Sequence, residues 1–262
     1  MKFFTDIIEK RTLLSNLALR EIRQQYVGSM LGIVWQVITP VVLITVFWVV
    51  FSVGFRVKPA SGVPFAVWLT AGMAAWFVFA EMVSGCVHSV SGNSHLVKKV
   101  VFPVQALPIV KILTALSNHF FFLLILMVLV VLNGLPINWL FFQAVYYFFC
   151  LVVLALGIGW TVSALNVFTR DTARLVGVCL QVGMWATPIL WDIKILPEPY
   201  RTVFSANPVH YIVQGYRDSF LYAVPVTERV TETIIFWGMT GSLLLLGVFV
   251  FKRLQPQFAD MV

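Results

Sequence analysis

Charge is scarce in this chain. Of 262 residues only 11% are Asp, Glu, Lys or Arg, where soluble domains carry roughly 25%. With 60% hydrophobic residues beside them, a water-soluble fold is excluded, because too little polar side chain remains to cover the apolar surface. Cysteine is also rare. The three, Cys86, Cys150 and Cys179, lie in or beside apolar runs and form no CxxC pair, so they read as packing residues and say little about redox compartment. Chemistry-bearing motifs are missing too. There is no G-x-x-x-x-G-K-[ST] loop, no H-E-x-x-H, no Cys/His set at metal spacing and no G-x-S-x-G elbow. ATP binding through a Walker loop is therefore excluded, and no nucleophile is paired with a base. The chain is expected to be no enzyme and to hold no cofactor or metal, so its energy must come from an ion gradient or another subunit.

Long apolar runs fill the rest. Several reach the ~18 to 20 residues that cross a bilayer as a helix, which makes the fold class all-α and polytopic. Six spans are expected: Ile33–Phe55, Phe65–Val87, Val104–Leu132, Trp139–Phe168, Leu175–Trp191 and Ile234–Phe251. The third and fourth exceed a bilayer's need, so tilt or projection is expected. No repeat or low-complexity linker interrupts them. A single membrane domain, 1–262, is expected: an interfacial helix over 1–32, five spans over 33–191, an outer segment over 192–233, the sixth span over 234–251 and a tail over 252–262. The N-terminal "MKFFTDIIEKRTLLSNLALREIRQQY" is charged throughout and delays the first apolar run, which is unlike a cleavable signal. Lys2, Lys10, Arg11, Arg20, Arg23, Lys98, Lys99, Arg170, Arg174, Lys252 and Arg253 fall on one side of the expected spans. Lys111 is expected to snorkel there. By the positive-inside rule that side is cytoplasmic and holds both termini.

Three segments depart from plain spans. Leading into and along "LALREIRQQYVGSMLGIVWQVITP", Leu14, Ala18, Ile22 and Tyr26 recur at i+4 while Arg20 and Arg23 face elsewhere. The pattern predicts a basic amphipathic helix in the membrane interface, with Gly28 and Gly32 as turning points and Trp35 as an anchor. A plain anchor without a partner is the simpler alternative. The link "SVSGNSHLVKKVVFPVQALP" predicts a short helix capped by Asn93 or Ser94; Ser94, His95, Leu96, Lys98 and Lys99 suit docking to a soluble subunit, or merely a positive-inside loop. In the outer segment, Pro197 and Pro199 open a helix that Asn207-Pro208 ends, and Pro208 opens another through about Tyr222. The second is too short to span and too aromatic for a solvated loop, which predicts a re-entrant pair buried against the bundle. It would cap the bundle or gate it, with Tyr200, Tyr211 and Tyr216 as gate candidates.

Aromatic residues make up 15% of the chain. Phe47, Trp48, Phe51 and Trp185 are candidates to line a passage, since aromatic faces stack on the C–H surface of sugars; core and interface packing is the competing use. Glu81, Lys111 and His119 are the ionisable residues within spans. Glu81 is expected to partner a cation, and His119 to pack.

The order of these features resembles the membrane subunit of type-2 ATP-binding-cassette polysaccharide exporters, the O-antigen, capsule and teichoic-acid permeases. The resemblance lies in R-x-x-Y-x-x-S-x-L-G-x-x-W from Arg23 to Trp35, in "TRDTARLVGVCLQVGMWATPILW" leading to "LPEPYRTVFSANPVHYIVQGYRDSFLY", and in the tail "FKRLQPQFADMV". It covers nearly the full chain. It implies a homodimer forming a channel, a separate cytoplasmic ATPase subunit that binds ATP and Mg, and a glycan linked to undecaprenyl diphosphate crossing the bacterial inner membrane. Membrane lipids are further partners; nucleic acid is not. By the same resemblance Ser91 to Phe102 is a coupling loop, and Arg20, Arg23 and Tyr26 stand where a lipid diphosphate would arrive. Thr169-Arg170-Asp171 is either a second subunit contact or a local ion pair. Two other readings stay open: an exporter of drugs or small substrates on the same fold, and an ion-coupled carrier. A membrane glycosyl- or acyltransferase would need paired acids or a His/Asp set, which the sequence lacks.

Overall fold

The computed structural model describes residues 10–57, 62–98 and 102–261, which form helices joined by turns, with no strand among the described residues. α1 (Arg11–Gln24) buries Leu14 and Ala18, which lie one turn apart on one face. That face rests on protein: Leu14 and Ala18 pack against Ala106 and Val110. The chain then turns at Gly28 (φ 83°) and Gly32 (φ 52°); this left-handed backbone is the reason glycine stands there.

The first candidate span runs Gly32–Gly54. Its middle is α2 (Trp35–Trp48), and it closes in a π-helical turn, Val49–Gly54. α3 (Phe65–Val87) is the central rod and touches α2, α5, α6, α7 and α9. Its small residues Ala71, Gly72, Ala74 and Ala75 have essentially no exposed surface of their own, and such positions let neighbouring helices approach closely without a large side chain between them. After α4 (Ser94–Val97) come α5 (Leu107–Leu132) and α6 (Gln143–Phe168), within candidate spans Val104–Leu132 and Trp139–Phe168. α7 is Asp171–Ala186, α8 Glu198–Ser205, α9 Pro208–Arg217 and α10 Val230–Leu254. α11 (Phe258–Met261) ends the described chain.

Five helices among the described residues are long and apolar enough to cross a membrane, where the sequence predicts six spans. The difference is α7. Its 16 residues rise only about 24 Å, and the helix stops at Thr187, whose backbone is extended. Pro188 follows, and proline disfavours a helical residue before it. Asn93 also differs from expectation: it makes no side-chain cap, and its amide donates back to the Ser89 carbonyl at 2.9 Å.

α6 and α10 meet backbone to backbone. A Cβ on Gly247 would collide with the Gly157 carbonyl oxygen, and one on Gly157 would lie 2.8 Å from Leu244 N. The molecule therefore has two distinct ends. At the collar end, α1, α4 and α11 gather; at the cap end, α8 and α9 fold over the bundle.

Candidate functional site: collar, cavity and cap

At the collar, α1 is fastened by one ion pair. Lys111 Nζ on α5 donates to Glu21 Oε2 at 2.8 Å, and the Thr114 hydroxyl reaches the same oxygen at 3.4 Å. Lys111, expected to snorkel toward this side, pairs there with the Glu21 carboxylate. Arg20 and Arg23 are exposed, and Tyr26 is half-buried in the turn after α1. Burial raises the Tyr26 phenol above its ordinary pKa; the neighbouring Gln36 amide opposes this and the charge of Glu81 adds to it. The interfacial turn thus touches polar residues of the spans.

α4 lies on an apolar base. Val97 shares a cluster with Val90, Trp160, Phe251 and Phe258, and Phe258 of α11 meets Phe251 edge-on at 5.3 Å. Seated there, α4 turns His95 and Lys98 to solvent, with Ser94 and Leu96 half-buried. Lys99 lies outside the described residues. Arg174 and Asp171 form an exposed pair at 3.4 Å, which matches the local alternative for Thr169-Arg170-Asp171.

A cavity of about 440 Å³ opens beside the collar, between the Tyr26 turn, α2, α3 and α5. Asn118 Nδ2 donates to Glu81 Oε1 at 2.5 Å. Glu81 is therefore partnered by an amide, where the sequence led us to expect a cation. Gln36 Nε2 donates to Ser117 at 3.1 Å, while Gln36 Oε1 is buried with no hydrogen-bond partner. Pro40, one turn on, has no N–H, so the Gln36 carbonyl also loses its usual helical donor.

The passage candidates divide. Trp48 and Trp185 are exposed; Phe47 and Phe51 are half-buried against the main core, with ring centroids 6.4 Å apart. On α7, Leu175, Val178 and Val182 are exposed with Trp185, and much of α2 is likewise bare valine. These two faces of the molecule lack apolar cover within one chain.

The cap is held by buried charge. Arg217 donates to the carbonyls of Pro188 at 2.9 Å and Ile189 at 2.8 Å, and lies 3.6 Å from the Trp68 ring centroid, a cation–π contact. It satisfies backbone acceptors freed where α7 breaks, and irregular backbone inside a membrane protein needs such partners. Asp218, fully buried, is ion-paired to Arg229 and accepts from Gln214 at 2.9 Å. The two-helix layout matches the sequence reading: Asn207 caps α9 by accepting from Val209 N at 3.0 Å. Of the gate candidates, Tyr200 is exposed whereas Tyr211 and Tyr216 are buried. Tyr211 bonds Tyr146 at 3.2 Å and Thr233 at 2.8 Å. Tyr216 bonds His119 Nε2 at 2.9 Å, and His119 stacks on Phe148 at 5.1 Å, so it packs as expected. Arg217 and Asp218 escaped the sequence reading as structural residues; two adjacent charges at the junction of α9 and the π-helical turn Asp218–Tyr222, within a largely apolar and aromatic stretch, were the available signal.

Similarity to known proteins agrees with this layout. The model of the ABC-2 type transporter family matches residues 12–221, from α1 through the cap. An O-antigen export system permease protein RfbA of Klebsiella pneumoniae is 24% identical over 93% of this chain and 92% of its own length. One from Myxococcus xanthus is 26% identical over the whole of both chains. With a bundle of apolar helices and a match across most of its length, this multi-pass membrane protein belongs to the ABC-2 type transporter family, the permease subunits of ATP-binding-cassette transporters.

Proposed function

We propose that the chain is the transmembrane subunit of an ATP-driven exporter that carries a lipid-linked polysaccharide, of the O-antigen type on undecaprenyl diphosphate, across the bacterial inner membrane. The observation that carries this reading is the end-to-end match to two O-antigen export permeases, which takes in collar and cap as well as spans. The collar faces the cytoplasm with both termini, in line with the lysines and arginines that flank it. α7, with the turn that follows it, completes a sixth crossing, and α8 and α9 dip in from the far side. Two copies stand together so that the uncovered apolar faces of α2 and α7 are buried or line the passage, bringing Trp48, Phe47, Phe51 and Trp185 to the glycan. A separate ATPase, binding ATP and Mg, docks on Ser94, His95, Leu96 and the lysines after them. Arg20 and Arg23, exposed beside Tyr26, meet the diphosphate; cations at an interface are well placed for such a ligand.

The test is reconstitution with the ATPase subunit in sealed vesicles. Lipid-linked polysaccharide should cross only with ATP, and charge reversal at Arg20 and Arg23 together should abolish crossing in an assembled complex. Transport by the chain alone on a proton or sodium gradient would overturn the proposal. Crossing of small drugs but not of lipid-linked glycan would move it to the small-substrate reading.

A further inference from the structure

The cavity beside the collar has a chemistry of its own. Its polar wall consists of a carboxylate and two carboxamides, Glu81, Asn118 and Gln36, and its mouth is flanked by Tyr26 and Trp35. Phe77 and Phe122 close it with stacked rings 5.6 Å apart. Three polar side chains on helices α2, α3 and α5 converge there, although apolar residues would pack these helices at less cost. One of them is incomplete. Gln36 is only 5% exposed, yet its Oε1 has no partner, and a buried acceptor left so costs free energy until something donates to it.

The occupant is defined by what the wall offers and lacks. Among the described residues no lysine or arginine lines the cavity, so a phosphate would find no cation there. The nearest lysine of α5, Lys111, is engaged by Glu21. A phospholipid head brings a phosphate and fits poorly for that reason. A carboxylate and an amide acceptor match a ligand rich in hydroxyl donors, and the flat faces of Tyr26 and Trp35 match one with an apolar C–H surface. At about 440 Å³ the space lies toward the lower end of small-ligand pockets, roughly 300–1,000 Å³, which suits one ring and not a chain of them.

We infer that this cavity is a monosaccharide subsite, in which Glu81, Gln36 and Asn118 bind the hydroxyl groups of the sugar nearest the diphosphate and Trp35 stacks on its ring. The inference rests on the proposed function and adds to it the part of the substrate that is read first. Arg20 and Arg23 would serve the diphosphate outside, and the cavity would distinguish a loaded carrier from a bare one.

The experiment uses the reconstituted complex with its ATPase subunit and two probes: undecaprenyl diphosphate bearing a single neutral hexose, and bare undecaprenyl diphosphate. The readout is the half-saturating concentration of each lipid for stimulating ATP turnover, expressed as a ratio within each variant. Wild type should prefer the hexose-bearing lipid. Glu81→Gln, which keeps the shape of the side chain, should reduce that preference about tenfold, the equivalent of one hydrogen bond to a charged group, and Trp35→Ala, at an exposed position, should reduce it about three- to tenfold through the lost ring face. An unchanged ratio in both variants overturns the subsite. So does a wild type that responds equally to the two lipids, or one whose preference is removed by phosphatidylethanolamine alone, which would make the cavity a phospholipid site. A wild type stimulated by neither lipid also overturns the subsite, while the proposed function falls separately, if lipid-linked polysaccharide fails to cross with ATP in the same vesicles.

Discussion

The two ends of the molecule are held by different physics. At the cap, a fully buried Asp218 is paired with Arg229, and Arg217 is bound to two backbone carbonyls. At the collar, the elements rest on apolar clusters and one ion pair, Lys111–Glu21, in which both partners keep some contact with solvent, whereas Asp218 keeps none. Buried charges lose heavily if a partner moves away, because desolvation is then uncompensated. Apolar contacts and a wetted ion pair tolerate small shifts at small cost. The cap is therefore built to keep one arrangement, and the collar to allow several. That suits an assembly driven from the collar side.

Removing single groups should break or sharpen this contrast. Asp218→Ala removes the acceptor of Gln214 and the nearer of Arg229's two carboxylates, leaving that guanidinium only Glu232 at 3.7 Å, and should cost about 3–5 kcal/mol, read as a large fall in the midpoint of thermal unfolding in detergent. If the loss were under about 1 kcal/mol, the rigid-cap description would be wrong. Between the ends, Gly247→Ala drives a methyl into the Gly157 carbonyl and should cost about 2–3 kcal/mol, since backbone cannot step aside; Gly238→Ala, where a Cβ meets nothing within 4 Å, is the matched control. Lys111→Met should cost about 1 kcal/mol or less, yet it should weaken a disulfide cross-link engineered between Ala18 and Val110, because α1 loses its strut. Arg174→Ala, at the exposed pair with Asp171, should change stability by less than about 0.5 kcal/mol. A larger effect in the assembled complex than in the isolated chain would mark it as a subunit contact.

What was legible in the sequence follows the range of the interaction concerned. Spans such as Val104–Leu132 and Trp139–Phe168 could be read because hydropathy is a local sum. The turns at Gly28 and Gly32, and the helix starts after Pro197 and Asn207, are likewise properties of neighbouring residues. Pairings across the fold were not readable. Nothing near Glu81 in the chain points to Asn118, and nothing near Lys111 points to Glu21. The end of α7 at Ala186 was hidden for a related reason: apolar Ile189 and Leu190 sustain hydropathy across a backbone break imposed by Pro188. Arg217 mends that break from another helix, which only the folded chain can show. In the candidate site, only Tyr26 and Trp35 stand out from the local pattern, one ending the amphipathic helix and the other opening the first span. The polar set that joins them to Glu81, Gln36 and Asn118 comes from three helices and has no linear signature.

Phe258 has a practical consequence for anyone handling this protein. Its ring fills the space between the last span and the short helix that carries His95. A chain cut before it would leave Val97 and Phe251 wet, and the helix above them would lose its floor. Shortening the carboxyl terminus by a handful of residues is thus an operation on the Ser94–Val97 helix, some 160 positions away in sequence.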